Sequence, residues 1–216
     1  MTVDSLADGI LDIIALASVA LSIFLVMNPF SSIPTFLSVT KGGDAATIRS
    51  YANHAVIVAA VLLFVFVFIG SPLMSLFGVT MESFRVAGGL ILIMMGVEIV
   101  FGLKFSKNAD EKDAPWIIIA TPIMTGPGVI TAAILFTEQY GYLEVVLAGI
   151  VALLATWVLL RLSQSIVKLI GENALNVTSR IVGLLLAALG VEYILEGANQ
   201  WVSMYWGDAA MVLLGM

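Results

Sequence analysis

The sequence predicts an all-α membrane protein. Its six transmembrane helices form two inverted three-helix repeats, with the first and fourth helices discontinuous. Three observations lead there. The chain is 61% hydrophobic and 11% charged, with a mean hydropathy of +1.10, whereas a soluble domain is roughly half apolar and about a quarter charged. Several apolar runs reach the ~18 residues that mark a spanning helix. A pattern of paired prolines occurs twice inside such runs, as Asn28-Pro29-Phe30-Ser31-Ser32-Ile33-Pro34 and as Thr121-Pro122-Ile123-Met124-Thr125-Gly126-Pro127-Gly128.

Taken in order, residues 1–103 make the first repeat, with spans at about 13–40, 48–69 and 84–102. Asp4, Asp8 and Asp12 precede the first span without Lys or Arg. That is not the basic start of a signal peptide, so the first run counts as a mature span. Gly70-Ser71-Pro72 and Gly78 mark the turn after the second span. Residues 104–114 are the most polar stretch and form a cytoplasmic loop between the halves. Residues 115–198 make the second repeat, with spans at about 116–137, 143–170 and 180–194. Residues 199–216 form a tail in which Trp201, Tyr205 and Trp206 suit the membrane interface.

Basic residues set the orientation. Lys41 and Arg49 follow the first span, Lys104, Lys107 and Lys112 the third, and Arg161, Lys168 and Arg180 the fifth. Only Arg85 lies on the other side, so both termini are expected outside. The halves also share spacing. Pro29 and Pro34 match Pro122 and Pro127 at an offset of 93, Arg85 to Gly88 match Arg180 to Gly183 at 95, and Gly96-Val97-Glu98 matches Gly190-Val191-Glu192 at 94.

A helix broken inside a bilayer leaves backbone groups that must face protein, water or ligand. Pro34 and Pro127 suit the first position of a new half-helix, where a missing N–H costs nothing. The free amides after them suit a carboxylate. The carbonyls of Leu25 and Ile118, ending the preceding half-helices, suit an ammonium group. Both kinds of group together match a zwitterion. Gly126 and Gly128 let a ligand approach the backbone. Asn28, Ser31, Ser32, Thr121 and Thr125 add neutral hydrogen-bonding groups. Neither break holds an acid or base, which favours a neutral side chain on the substrate.

The two segments resemble the paired signatures of the MarC family, prokaryotic inner-membrane proteins that include the SnatA neutral amino acid transporters. The resemblance covers essentially the whole chain. It implies inverted repeats, discontinuous first and fourth helices, residence in the inner membrane, and transport of small neutral amino acids such as glycine and alanine. It places the site on Asn28, Pro29, Phe30 and Pro34 and on Pro122, Gly126, Pro127 and Gly128.

Other features weigh less. Glu98 lies inside a span and is the candidate for proton coupling, because ionisable groups there are functional by default. Glu192, its equivalent, reads as interfacial. Arg85 and Arg180 read as snorkelling to headgroups, and His54 as an interfacial residue. The absence of cysteine excludes thiolate chemistry and Cys metal sites. No basic cluster suggests nucleic acid, and no cofactor or metal site is expected. No nucleotide-binding loop, H-E-x-x-H or Ser/His constellation is present, so the chain is not expected to be an enzyme. The expected partners are the amino acid, the bilayer and protons. The competing readings are an aquaporin-like channel, which would want Asn-Pro in both halves, and drug efflux, which would want a larger aromatic cavity. The sequence leaves the oligomeric state open.

Overall fold

The computed structural model describes residues 3–40, 44–103 and 126–214. They form seven helices in order: α1 (Val3–Met27), α2 (Pro29–Val39), α3 (Ala45–Phe77), α4 (Met81–Phe101), α5 (Pro127–Tyr140), α6 (Tyr142–Arg161) and α7 (Ser163–Leu214). There is no strand among the described residues. Among the described residues, five stretches are long and apolar enough to cross a membrane: Ile13–Ser38, Ala45–Phe77, Met81–Phe101, Tyr142–Arg161 and Ser163–Met204. The 104–114 loop and Pro122 lie outside the described residues.

The helix ends follow from local chemistry. Asp44 caps α3 by accepting from Thr47 N, and Thr80 caps α4 by accepting from Ser83 N. Gly78 and Gly102 close the same two helices in the left-handed conformation, at φ 65 and 67, a backbone that glycine adopts without a Cβ clash. Three elements depart from the sequence expectation. The second span, expected to turn at Gly70-Ser71-Pro72, stays helical through Pro72 to Phe77. The fifth span, expected to run to Ile170, ends at Arg161, where Leu162 turns the chain. The last helix then runs from Ser163 through Trp201 to Leu214, interrupted only by Gly171 at φ 78 and ψ 161. The aromatic tail is therefore a continuation of a helix.

Small residues are concentrated on the inward faces, interleaved with larger apolar ones, while the outward faces are mostly large and apolar. In α3 the buried line is Ile48, Ala52, Ala55, Ala59, Leu63, Val67 and Gly70. In α6 it is Val145, Ala148, Gly149, Ala152, Leu153, Thr156 and Leu160. Ile57, Val61, Phe68, Leu90, Leu154 and Leu184 lie on outer faces. A bilayer offers no hydrophobic gain for helix association, so close packing of small residues must supply it.

α4 and α7 show this most strongly. They run antiparallel with glycines facing backbone. A Cβ on Gly96 would lie 2.5 Å from Gly183 O, one on Gly190 would lie 2.5 Å from Gly89 O, and one on Gly197 would lie 2.7 Å from Glu82 O. α3 and α6 also pack antiparallel, pinned at one end by Trp157 Nε1 donating to Asn53 Oδ1 at 2.7 Å and at the other by Phe68 stacked on Tyr142 at 6.0 Å. The described basic residues gather at one end. The Tyr142 end carries Glu82, Glu138, Glu144, Glu192 and Glu196 with Arg85 alone, while the Asn53 end carries Arg49, Arg161, Lys168 and Arg180 together with the acids Asp44, Glu98 and Glu172.

Candidate functional site

The first apolar span is interrupted at one residue. Asn28 stands between α1 and α2 at φ 41 and ψ 61, and no other described non-glycine residue has positive φ. The sequence explains the choice. Pro29 crowds the preceding residue out of the helical region, and asparagine tolerates the left-handed alternative better than other side chains.

Asn28 then serves both helices. Its N–H reaches the carbonyls of Phe24 at 3.2 Å and Leu25 at 3.0 Å, closing α1. Its Oδ1 accepts from Ser31 N at 3.4 Å, capping α2. Its own carbonyl accepts from Ser32 Oγ at 3.4 Å. The side-chain Nδ2 is buried and has no partner among the described residues. A buried donor left unmatched costs about 1–3 kcal/mol, so this amide is a point where an acceptor is strongly favoured.

The geometry corrects the expected position of the first break. Pro34 does not begin a helix. It lies inside α2, and Pro29 occupies the opening position. The Leu25 carbonyl, expected to be exposed, is taken by Asn28 N. The carbonyl deprived of its helical donor is instead that of Phe30, because Pro34 has no N–H to give. Pro29 and Ser32 are buried, Phe30 and Pro34 are half-buried, and Ser31 is exposed. The Phe30 ring sits edge-on to Phe24 at 5.9 Å.

In the second half α5 opens at Pro127, with Gly126 as its cap and no side-chain cap bond. Thr121, Pro122 and Thr125 lie outside the described residues. Gly126 and Gly128, paired in the sequence reading, differ in surroundings. A Cβ on Gly126 would meet nothing within 4 Å among the described residues, whereas one on Gly128 would lie 2.6 Å from Met95 Sδ and 3.0 Å from Leu92 Cδ2. Gly128 therefore seats α5 on α4, and of the two only Gly126 is clear of neighbours among the described residues. α1 packs against α5, so the helix that ends at Asn28 neighbours the helix that begins at Pro127.

The ionisable residues also fall out differently. Arg85 was expected to snorkel. It is buried, with Nη1 2.6 Å from Glu196 Oε2. The approach is charge to charge, off the N–H direction, and Nε has no acceptor among the described residues. Sequence reasoning passed over Glu196. The available signal was its place in an apolar helix, where an acid is expensive without a partner. Tyr193, one turn earlier, is buried edge-on to Phe136 of α5 at 6.4 Å. Glu98 is half-buried near the opposite end of α4 and is partnered. Arg180, Glu192 and His54 are exposed, and His54 Nδ1 lies 2.7 Å from Ser50 O.

The family model for MarC family integral membrane proteins matches residues 13–202. The chain belongs to the MarC family. Among curated relatives, the UPF0056 membrane protein YhcE of Escherichia coli is 30% identical over 190 residues, covering 82% of this chain and 88% of its own. The UPF0056 inner membrane protein YhgN of the same organism is 27% identical, covering 86% and 96%. A UPF0056 membrane protein of Methanocaldococcus jannaschii is 29% identical, covering 82% and 92%. No solved structure matches the chain. With five apolar helices and this membership, the chain is an integral membrane protein.

Proposed function

We propose that this MarC-family protein is a secondary transporter of small neutral amino acids, glycine and alanine among them, and has no enzymatic activity. The observation that carries the reading is Asn28: a buried, left-handed interruption of an apolar span whose side-chain amide has no acceptor among the described residues. The first amides of a helix have no intrahelical partner. That of Phe30 in α2, with Asn28 Nδ2, suits a substrate carboxylate, the Ser31 N–H being held by Asn28 Oδ1. The Phe30 carbonyl suits its ammonium. Ser31, Ser32 and Gly126 leave room for a small neutral side chain, and Thr121, Pro122 and Thr125 complete the site from the second half.

The reading includes an inverted repeat with discontinuous first and fourth spans. Its support is the antiparallel pairing of α3 with α6 and of α4 with α7, and the recurrence of a left-handed glycine at Gly78 and Gly171. α5, at 14 residues, reaches only about 21 Å, short of a hydrocarbon core of about 30 Å. That length suits a half-helix. The basic end at Arg49, Arg161 and Lys168 is placed in the cytoplasm and both termini outside. The inner membrane is the proposed location, in keeping with the name of YhgN. Glu98 is the proposed proton-coupling residue.

Thermal melting of purified protein against the amino acids tests the substrate. A ligand that binds only the folded state raises the melting temperature. Glycine and alanine are expected to raise it, and lysine and glutamate are not. A rise with drug-like compounds alone would overturn the reading. Gly126→Val is expected to abolish uptake in proteoliposomes while leaving melting unchanged. Unchanged uptake would remove the second half from the site.

A further inference from the structure

A groove of about 360 Å³ opens on the outer face of α4 and α7, lined by Glu82, Ser83, Val86, Ala198, Trp201 and Val202. It lies far along α4 from Glu98 and belongs to neither proline segment. The size is at the lower end of small-ligand sites, which run roughly 300–1,000 Å³. Its walls are almost wholly apolar, and Trp201 and Val202 are half exposed at its rim. Among the described residues, Glu82 is the only charged one lining it. Arg85, one turn away, is already neutralised by Glu196, so the residual charge beside the groove is negative. The floor is rigid, because Gly197 packs directly on the Glu82 carbonyl and on Arg85 Cβ.

The depth in the membrane narrows the occupant. Glu82 stands in the first turn of α4, and Trp201 stands near the end of the apolar stretch Ser163–Met204. Both ends therefore lie where hydrocarbon gives way to headgroups, the level favoured by tryptophan. A ligand here would run an apolar chain along Val86, Ala198 and Val202 and present a cation to Glu82.

We propose that this groove is a binding site for a phospholipid whose headgroup ends in an ammonium. The acyl chain lies on Val86 and Val202, Trp201 covers the glycerol level, and the Glu82 carboxylate selects the ammonium. The site holds α4 and α7 together from the lipid side and is independent of what the proline segments bind.

The test uses delipidated protein in detergent, titrated with short-chain phosphatidylethanolamine or with phosphatidylglycerol of the same chains, with melting as the readout. The ethanolamine lipid is expected to bind up to roughly fivefold tighter, the scale of an exposed charge pair. Glu82→Gln is expected to equalise the two lipids without changing the melting of lipid-free protein. Ala198→Trp is expected to lose both lipids by filling the groove. Equal binding of both lipids by the unaltered protein overturns the proposal, as does an ethanolamine preference that survives Glu82→Gln. The chain has no cysteine, so mixed Val86→Cys and Val202→Cys proteins provide a further arm. A disulfide joining two copies in membranes would make the groove an interface between copies and also overturn it.

Discussion

Two helices begin at a proline within apolar sequence, and they are built in opposite ways. α2 is held by hydrogen bonds: Asn28 caps it, Ser32 braces the cap, and its exposed face includes Thr35 and Ser38. α5 has no side-chain cap and is held by shape. Nine of its 14 residues are buried, and Gly70 of α3 and Gly88 of α4 leave notches for Ile134 and Thr131. One break is therefore specified by polar geometry and the other by steric fit. A polar break can respond to a ligand by exchanging hydrogen bonds. A wedged helix can respond only by moving against its neighbours, since packed interiors transmit strain.

The largest effect is expected from filling a notch. Gly88→Leu would drive a side chain into Thr131 and is expected to cost about 3 kcal/mol, at the upper end for overpacking. It reads out as a lower melting temperature in detergent. The counterpart on α2 is Ser31→Leu, on an exposed face, expected to change stability by no more than about 0.5 kcal/mol while abolishing uptake. Equal destabilisation by both variants would erase the distinction between the two helices.

Next comes the cap itself. Asn28→Gly keeps the left-handed backbone at little conformational cost but removes both the cap oxygen and the orphaned amide. Uptake is expected to fall at least tenfold, because a hydrogen bond to a charged group is worth about 1.5–3 kcal/mol. Melting is expected to drop by much less than in Gly88→Leu. If uptake survives in Asn28→Gly, the amide is not a ligand contact. Pro34→Ala is a subtler probe. It returns an N–H to the Phe30 carbonyl and removes an interior proline, so α2 is expected to gain stability. If that carbonyl contacts the substrate ammonium, uptake falls as stability rises. A parallel gain in both would show that Pro34 only weakens the helix.

These contrasts explain what could be read before the fold was known. The apolar helices were legible because lipid forces every backbone group into internal hydrogen bonds, which leaves long unbroken apolar runs in the sequence. The break near residue 28 was legible as a region but not as a residue. Two prolines compete for it, and the outcome depends on Asn28 accepting a left-handed backbone, which lets the helix resume at once and run through Pro34. Gly128 lies against Met95, a packing role the sequence does not reveal, because a missing side chain looks the same whether a ligand or a neighbouring side chain fills the space. The Arg85–Glu196 pair was missed because its partners lie on helices far apart in the chain, and only the antiparallel seating of α4 on α7 brings them together. The fine structure of the second break remains with Thr121, Pro122 and Thr125, outside the described residues.

The smallest effect concerns the cap of α3, where Asp44, on an extended backbone, makes the same side-chain bond to the amide three residues ahead that Asn28 makes on a left-handed one. Asp44 Oδ1 accepts from Thr47 N at 2.8 Å and from Thr47 Oγ1 at 2.7 Å. These bonds hold its carboxyl below the usual 3.8. Because the folded-state pKa is lowered, the stabilisation is fully present above the unfolded value and is lost as pH falls through the folded one. Asp44→Ala is therefore expected to melt slightly below the parent at pH 7 and to converge with it as the pH drops below 3.8. Asn28 makes the equivalent bond to Ser31 N with a neutral amide, as burial in a span demands, and shows no such pH dependence. A cap effect at Asp44 that persists undiminished at low pH would mean that the hydroxyl network, not the charge, does the capping. The contrast between a charged cap at the membrane edge and a neutral one within it would then reduce to geometry alone.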